Sequence, residues 1–183
     1  MISATMNADT TFIFREITEA DISSVQSFII HHLNLYFNAN RPAPEPHADV
    51  LNLRSHYLHQ PRNLLLGAWN NRQQLIATLA VCQYDDRIPA LRGRYQLSST
   101  AEICRCYVAQ EYRRQGIGSQ LVLLAEQFCD RQQYKTRYLH THHFLPGGYQ
   151  FWLRNHFTVF LMKVANSKSY TWKNINKNVT PRK

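Results

Sequence analysis

Three groups of residues in this chain combine type and spacing in ways that chemistry can use. The first is Arg113-Arg114-Gln115-Gly116-Ile117-Gly118-Ser119, a basic turn with glycine at alternate positions. An apolar stretch ending in Val108 precedes it, and a run with helical periodicity follows. The first turn of a helix carries N–H groups with no partner inside the helix, and they point outward with the positive end of the helix dipole. Glycines keep side chains away from those donors, and Arg113 and Arg114 add positive charge, so the turn has the makings of a phosphate cradle. Its spacing is neither the three-glycine dinucleotide fingerprint nor a Gly-Lys-Ser/Thr loop.

The second group is Glu102 in Ala101-Glu102-Ile103, a carboxylate among apolar residues that could take a proton from an attacking nucleophile. It could equally be a paired carboxylate, with Arg105 as the nearest partner in sequence. The third is His140, His142 and His143. His140 and His142 would share one face of a strand, but no carboxylate or cysteine stands near them, so pocket lining or plain structure accounts for them better than a metal. Cys104-x-Cys106 also falls on one side of a strand and lacks further ligands. No metal is expected.

The elements that must position these groups follow from periodicity. Glu102 to Val108 has the composition of a strand. Ile117, Leu121, Leu124, Ala125 and Phe128 recur at helical spacing up to Arg131. Upstream, Phe12 to Ile17 alternates as a strand, and Thr18 caps a helix running towards Phe37. A Pro/Asn-rich connection, Asn38 to Pro46, leads to a second helix over His47 to His59. Leu64–Trp69 and Leu75–Tyr84 form a hairpin whose Asn70-Asn71 tolerates positive φ. Asp85 to Thr100 is a polar insert. Thr136–His142 is a strand, Tyr149–Asn155 a helix and Thr158–Val164 a strand. From Ala165 on the chain is a basic tail in which Tyr170 and Trp172 could extend a strand.

At 183 residues with 44% hydrophobic content, the chain is sized for one domain spanning 1–183, with a core of about 11–164. No apolar run reaches the length of a membrane span, and Met1 to Thr11 has no secretory pattern, so a cytoplasmic chain with Cys82, Cys104, Cys106 and Cys129 reduced is expected. The net charge of +9 fits a solvated surface with a basic tail; attraction to nucleic acid or an acidic substrate is the sharper alternative.

Read whole, Arg113-x-x-Gly116-x-Gly118 after an apolar strand resembles the acetyl-CoA-binding signature of the GCN5-related N-acetyltransferase (GNAT) family. Phe151-Trp-Leu-Arg-Asn-His-Phe157 is similar to that family's Phe-Tyr-Glu-Lys-x-Gly-Phe block, and the resemblance covers Thr11 to about Lys163. It implies an α/β fold: a mixed, mostly antiparallel central sheet flanked by helices, with splayed central strands that admit the pantetheine arm. The element order β-α-α-β-β-β-α-β-α-β agrees with that fold.

The resemblance also implies acetyl-CoA as cosubstrate and direct attack by a primary amine in a ternary complex. Glu102, eleven positions before Arg113, stands where the family's histone acetyltransferases carry their base. The oxyanion would meet an amide near Cys106, Tyr107 and Val108, chiefly that of Val108. The amides of Arg114, Gln115, Gly116, Ile117, Gly118 and Ser119 would hold the phosphates. The family's acidic Tyr falls where Trp152 stands, and an indole N–H is no proton donor at neutral pH. Tyr149, one helical turn earlier, is the substitute hydroxyl considered. Tyr36, Phe37 and Tyr57 are candidates for substrate contact or for core. The expected partner is a small-molecule or protein amine, with the chain a monomer or homodimer and no membrane involved. A non-catalytic acyl-CoA-binding module and a tRNA-directed acetyltransferase toxin are the alternatives.

Overall fold

A computed structural model describes residues 11–37, 48–142, 144–160 and 169–175 and arranges their strands in one sheet. In chain order the elements are β1 (Ile13–Glu16), α1 (Ile22–Tyr36), α2 (Ala48–Leu51), β2 (Leu64–Trp69), β3 (Leu75–Gln83), β4 (Thr100–Val108), α3 (Ile117–Arg131), β5 (Thr136–His142), α4 (Gly148–Arg154), β6 (Thr158–Phe160) and β7 (Ser169–Ile175). The strands lie in the order β1-β2-β3-β4-β5-β7-β6. Only the β4–β5 pair is parallel, so the sheet is mixed and mostly antiparallel, as expected.

Two apolar layers sandwich the middle of the sheet. On one face α3 buries Ile117, Leu121, Val122, Ala125 and Phe128 against Leu66, Ile76, Leu79 and Ile103. On the other, Val25, Ile29 and Leu33 of α1 join Val50, Leu53 and Tyr57 over Leu65, Ala80 and Cys82. That is why β3 reads as a nearly unbroken apolar run: Ile76 to Val81 is covered on both sides. The second helix is shorter than its sequence pattern predicts. After α2 the chain widens into a single π-helical turn, Arg54–Leu58.

Four local features depart from expectation. In the β2–β3 turn the positive φ falls on Gln73 (58°), not on the asparagines. Asn70 instead accepts the backbone N–H groups of Arg72 and Gln74 through Oδ1, at 3.0 and 2.9 Å. In β4 the register against β3 slips between Thr78↔Tyr107 and Ala80↔Cys104, so β4 carries one extra residue. Arg105 at this bulge has φ +51°. The bulge breaks the two-residue period and sends Cys104 to the α1–α2 layer and Cys106 to the α3 layer, rather than both to one side. Finally, the region beyond Ala165 contributes β7, which pairs with all of β5 and separates it from β6. Without β7 the outer edge of β5 would present a row of unpaired backbone groups.

The Asn38–Pro46 connection, His143, most of the basic tail and the end of the strand expected to reach Val164 lie outside the described residues. No helix among the described residues is long and apolar enough to cross a membrane.

The parallel β4–β5 ladder ends at Ile103↔Leu139. Beyond it Cys104–Val108 and His140–His142 continue without pairing to each other, so the two central strands splay.

Candidate active site

The splay opens into a cleft of about 1370 Å³. Two differently built ends meet in it.

At one end the chain leaves β4, turns through Arg113–Gly116 and enters α3. Gly116 is the N-cap, with φ +80°, a left-handed conformation that glycine adopts without steric cost. No side chain caps the helix. The helical ladder begins with Gln120 N–H donating to the Gly116 carbonyl at 3.0 Å, so the N–H groups of Ile117, Gly118 and Ser119 have no acceptor within α3. All three residues line the cleft, with Arg114 and Gly116 beside them. The second glycine has a different reason for being there. A Cβ on Gly118 would stand 2.9 and 3.1 Å from the Phe151 ring, so glycine lets α4 close against α3.

Val108 connects this end to the splay. Ala109 N–H donates to the Ile76 carbonyl at 2.9 Å, which makes Ala77↔Val108 a non-hydrogen-bonded pair of the β3–β4 ladder. The Val108 N–H therefore turns away from β3, towards the side from which β5 has departed. Arg113 closes the same corner: its Nε donates to the Val108 carbonyl at 3.1 Å and its Nη2 to the Tyr36 hydroxyl. Its guanidinium is thus a strut rather than the mobile charge the sequence suggests.

At the other end the lining is side chains. Glu102 is buried, and both its oxygens accept from Arg87, at 2.5 and 2.7 Å. Asp49 pairs in the same bidentate way with Arg105 and accepts the Tyr57 hydroxyl at 2.8 Å. Between the two pairs, Cys82 Sγ lies 3.5 Å from His56 Nε2 and 3.7 Å from Cys104 Sγ. Contact with Cys104 first, and burial second, push the Cys82 thiol well up. Burial is the leading cause that pushes His32, His56 and His140 down, His140 to about 4, so these imidazoles are neutral at pH 7. His140 is the first β5 residue past the paired ladder, and its Nδ1 is buried with no hydrogen-bond partner among the described residues.

The cleft therefore gathers Glu102, Cys106, Tyr107, Val108, Arg113, Arg114, Gly116, Ile117, Gly118 and Ser119. It leaves out Gln115, Tyr149 and Tyr57, each singled out from the sequence. Gln115 points back, its Nε2 donating to the Glu111 carbonyl. Tyr149 is 44% exposed on α4 and does not line the cleft; α4 turns Trp152 inward instead, where it packs on Phe157. Glu102 does pair with an arginine, but with Arg87 of the β3–β4 connection, because Arg105 is taken by Asp49. Tyr36 and Phe37 face the cleft, whereas Tyr57 belongs to the core. Asp49, His56 and Arg87 were not indicated by the sequence; each comes from a different segment, and no local spacing marks them. Among the described residues no group of three or more His, Cys, Asp or Glu side chains is placed to hold a metal ion. All four cysteines are free thiols.

A family model described as "Acetyltransferase (GNAT) family" matches residues 28–157. The chain belongs to the GNAT acetyltransferase family. Solved structures share the acetyltransferase fold at low identity. A GNAT-family acetyltransferase from Staphylococcus aureus Mu50 superposes with a TM-score of 0.68 at 18% identity, covering 88% of this chain and 98% of that one. Ard1 from Thermoplasma volcanium gives 0.64 at 18%, covering 90% and 97%. The PaiA N-acetyltransferase of Thermoplasma acidophilum, solved in complex with coenzyme A, gives 0.61 at 17%, covering 90% and 99%. No curated protein sequence matches this chain.

Proposed function

We propose that the chain is an N-acetyltransferase that uses acetyl-CoA and a primary amine, joined in one ternary complex. The observation that carries this reading is a single cleft joining unpartnered helix N-terminal amides to a gap between splayed strands. Acetyl-CoA supplies the acetyl group as an activated thioester. The amides of Ile117, Gly118 and Ser119 bind pyrophosphate oxygens, with Arg114 adding charge beside them. The gap between β4 and β5 takes the extended pantetheine arm, and the Val108 N–H, turned into that gap, donates to the acetyl oxygen as it gains negative charge.

Glu102 is the proton acceptor for the amine. Its pairing with Arg87 occupies one acceptor site on each oxygen, and a carboxylate has about four such sites, so capacity remains for a bridging water. Trp152 packs on Phe157 and its indole is no acid, and Tyr149 stands outside the cleft, so neither protonates the leaving thiolate, which departs unprotonated or takes its proton from water. The acceptor is a small-molecule or protein amine.

Titration of acetyl-CoA into wild type and Ser119→Glu tests the cradle. A glutamate in the first turn of α3 favours the helix but places negative charge on the proposed phosphate site. Binding weakens by about tenfold or more, equivalent to about 1.4 kcal/mol, while the melting temperature holds or rises. Unchanged affinity would sink the cradle. CoA release over a panel of primary amines tests the chemistry. Binding without release for any amine replaces the enzyme with an acyl-CoA-binding module.

A further inference from the structure

The Asp49–Arg105 pair has no part in the reaction as described, yet it is the most completely enclosed ion pair in the cleft. Arg105 Nε donates to Asp49 Oδ2 at 2.8 Å and Nη2 to Oδ1 at 2.5 Å, joining residues 56 positions apart. The two side chains are 12% and 11% exposed. The Tyr57 hydroxyl donates to the same carboxylate, so Asp49 is anchored from its own side of the cleft as well. Burial is the largest influence on Asp49 and opposes its charge, but the bonds and charge of Arg105 outweigh it and hold the carboxyl below its ordinary range.

Arg105 is also the residue at which β4 bulges. Its φ of +51° is a left-handed conformation that residues with a Cβ disfavour. Its carbonyl accepts the Thr78 hydroxyl at 2.9 Å, and the extra residue of β4 falls between Cys104 and Tyr107. An unpinned strand would relieve that conformation by absorbing the extra residue. Absorbing it shifts the alternation of β4 by one and turns the amides beyond it to the opposite side.

We propose that the Asp49–Arg105 pair is a positioning clamp that pins the β4 bulge and so aims the Val108 N–H into the gap. The inference rests on the acetyltransferase reading above. It gives α2, on the side of the cleft opposite the α3 turn, control over the donor that meets the acetyl oxygen. The clamp touches no reacting atom; it acts through the backbone of β4.

Asp49→Asn keeps the shape and one acceptor oxygen but removes the charge. With the amine that wild type acetylates best, kcat falls about tenfold or more, whereas the Kd for acetyl-CoA stays within about twofold because the α3 cradle is untouched. Bound acetyl-CoA labelled with ¹³C at the carbonyl reports the donor directly: its resonance in Asp49→Asn moves back towards that of free acetyl-CoA. Arg105→Lys, which keeps the charge but loses the fork, shows the same changes to a smaller degree and carries the test if Asp49→Asn does not fold. The double variant Asp49→Asn/Arg105→Gln loses no more kcat than the worse single one, since the pair acts as a unit. A lower melting temperature with kcat and the carbonyl resonance at wild-type values means the pair is merely structural and overturns the clamp. A wild type that neither binds acetyl-CoA nor releases CoA overturns the acetyltransferase reading, and the clamp with it.

Discussion

At the α3 end of the cleft the groups facing the cavity are main-chain amides from one short stretch, Ile117–Ser119. At the opposite end they are side chains from α1, α2, the β3–β4 connection, β4 and β5, held by the pairs Arg87–Glu102 and Asp49–Arg105. The first end can bind the part that any acyl-CoA presents, because amides and a helix dipole recognise charge and little else. The second is assembled from distant residues, and a change in any one segment re-shapes it. One cleft can thus keep a common cosubstrate at one end while its other end is free to vary.

If side-chain pairs hold the second end, breaking one should cost more than any single change in the turn. Arg87→Met leaves the Glu102 carboxylate buried without its fork. Full burial of an unpaired partner costs about 3–5 kcal/mol. Arg87 keeps 33% of its side chain exposed, so the low end is expected, about 3 kcal/mol in urea denaturation. Adding Glu102→Gln should recover most of that loss. A full-sized loss that persists in the double variant would mean Arg87 stabilises the connection by packing alone, and the comparison between the two ends would fail there.

The α3 end breaks in smaller and separable ways. Gly118→Ala forces its Cβ against the Phe151 ring, at 2.9 Å if nothing moves, and overpacking of this kind costs about 1–3 kcal/mol. Gly116→Ala meets nothing within 4 Å but must hold φ +80°, at about 1 kcal/mol. Phe151→Leu should rescue Gly118→Ala in part and leave Gly116→Ala unrelieved. Equal rescue of both would show that the turn is limited by packing throughout, with no separate role for the left-handed N-cap.

The same contrast explains what could be read in advance. β4, the turn and α3 follow one another in sequence, so strand composition, glycine spacing and helical period are all visible locally, and the family pattern suggests a use for them. The pairing of Glu102 was not legible, because three arginines stand in the β3–β4 connection and nothing local distinguishes Arg87 from Arg92 or Arg94. Asp49 stands in the first turn of α2, where an acid is ordinary, and its partner lies 56 residues away. Arg105 showed no glycine or asparagine to announce a positive φ; the bulge depends on contacts from Thr78 and Asp49, both remote in sequence. Tyr149 was misplaced for a related reason. Helical spacing puts it one turn before Trp152, but which face of so short a helix turns inward is decided by packing on Phe151 and Phe157.

A last difference between the two ends concerns acid. Burial first, then His142 and Arg87, hold His140 at about 4 against an ordinary 6.5. In the unfolded chain the imidazole binds its proton below 6.5, while in the folded protein it stays neutral until about 4. Between those values the unfolded state binds more protons, so stability falls as pH falls, and below about 4 the loss stops growing. The loss at pH 5.5 relative to 7.5 amounts to about 1 kcal/mol from this one group. His140→Gln removes it, so wild type should lose about that much more than the variant over the same interval in urea denaturation. His32 and His56, also pushed down, are present in both proteins and cancel in the difference. Ser119→Glu, at the α3 end, should leave this acid loss as it is in wild type. Identical acid losses for wild type and His140→Gln would mean that His140 gains its proton as readily folded as unfolded, and that the imidazole end of the cleft is as open to water as the turn that faces it.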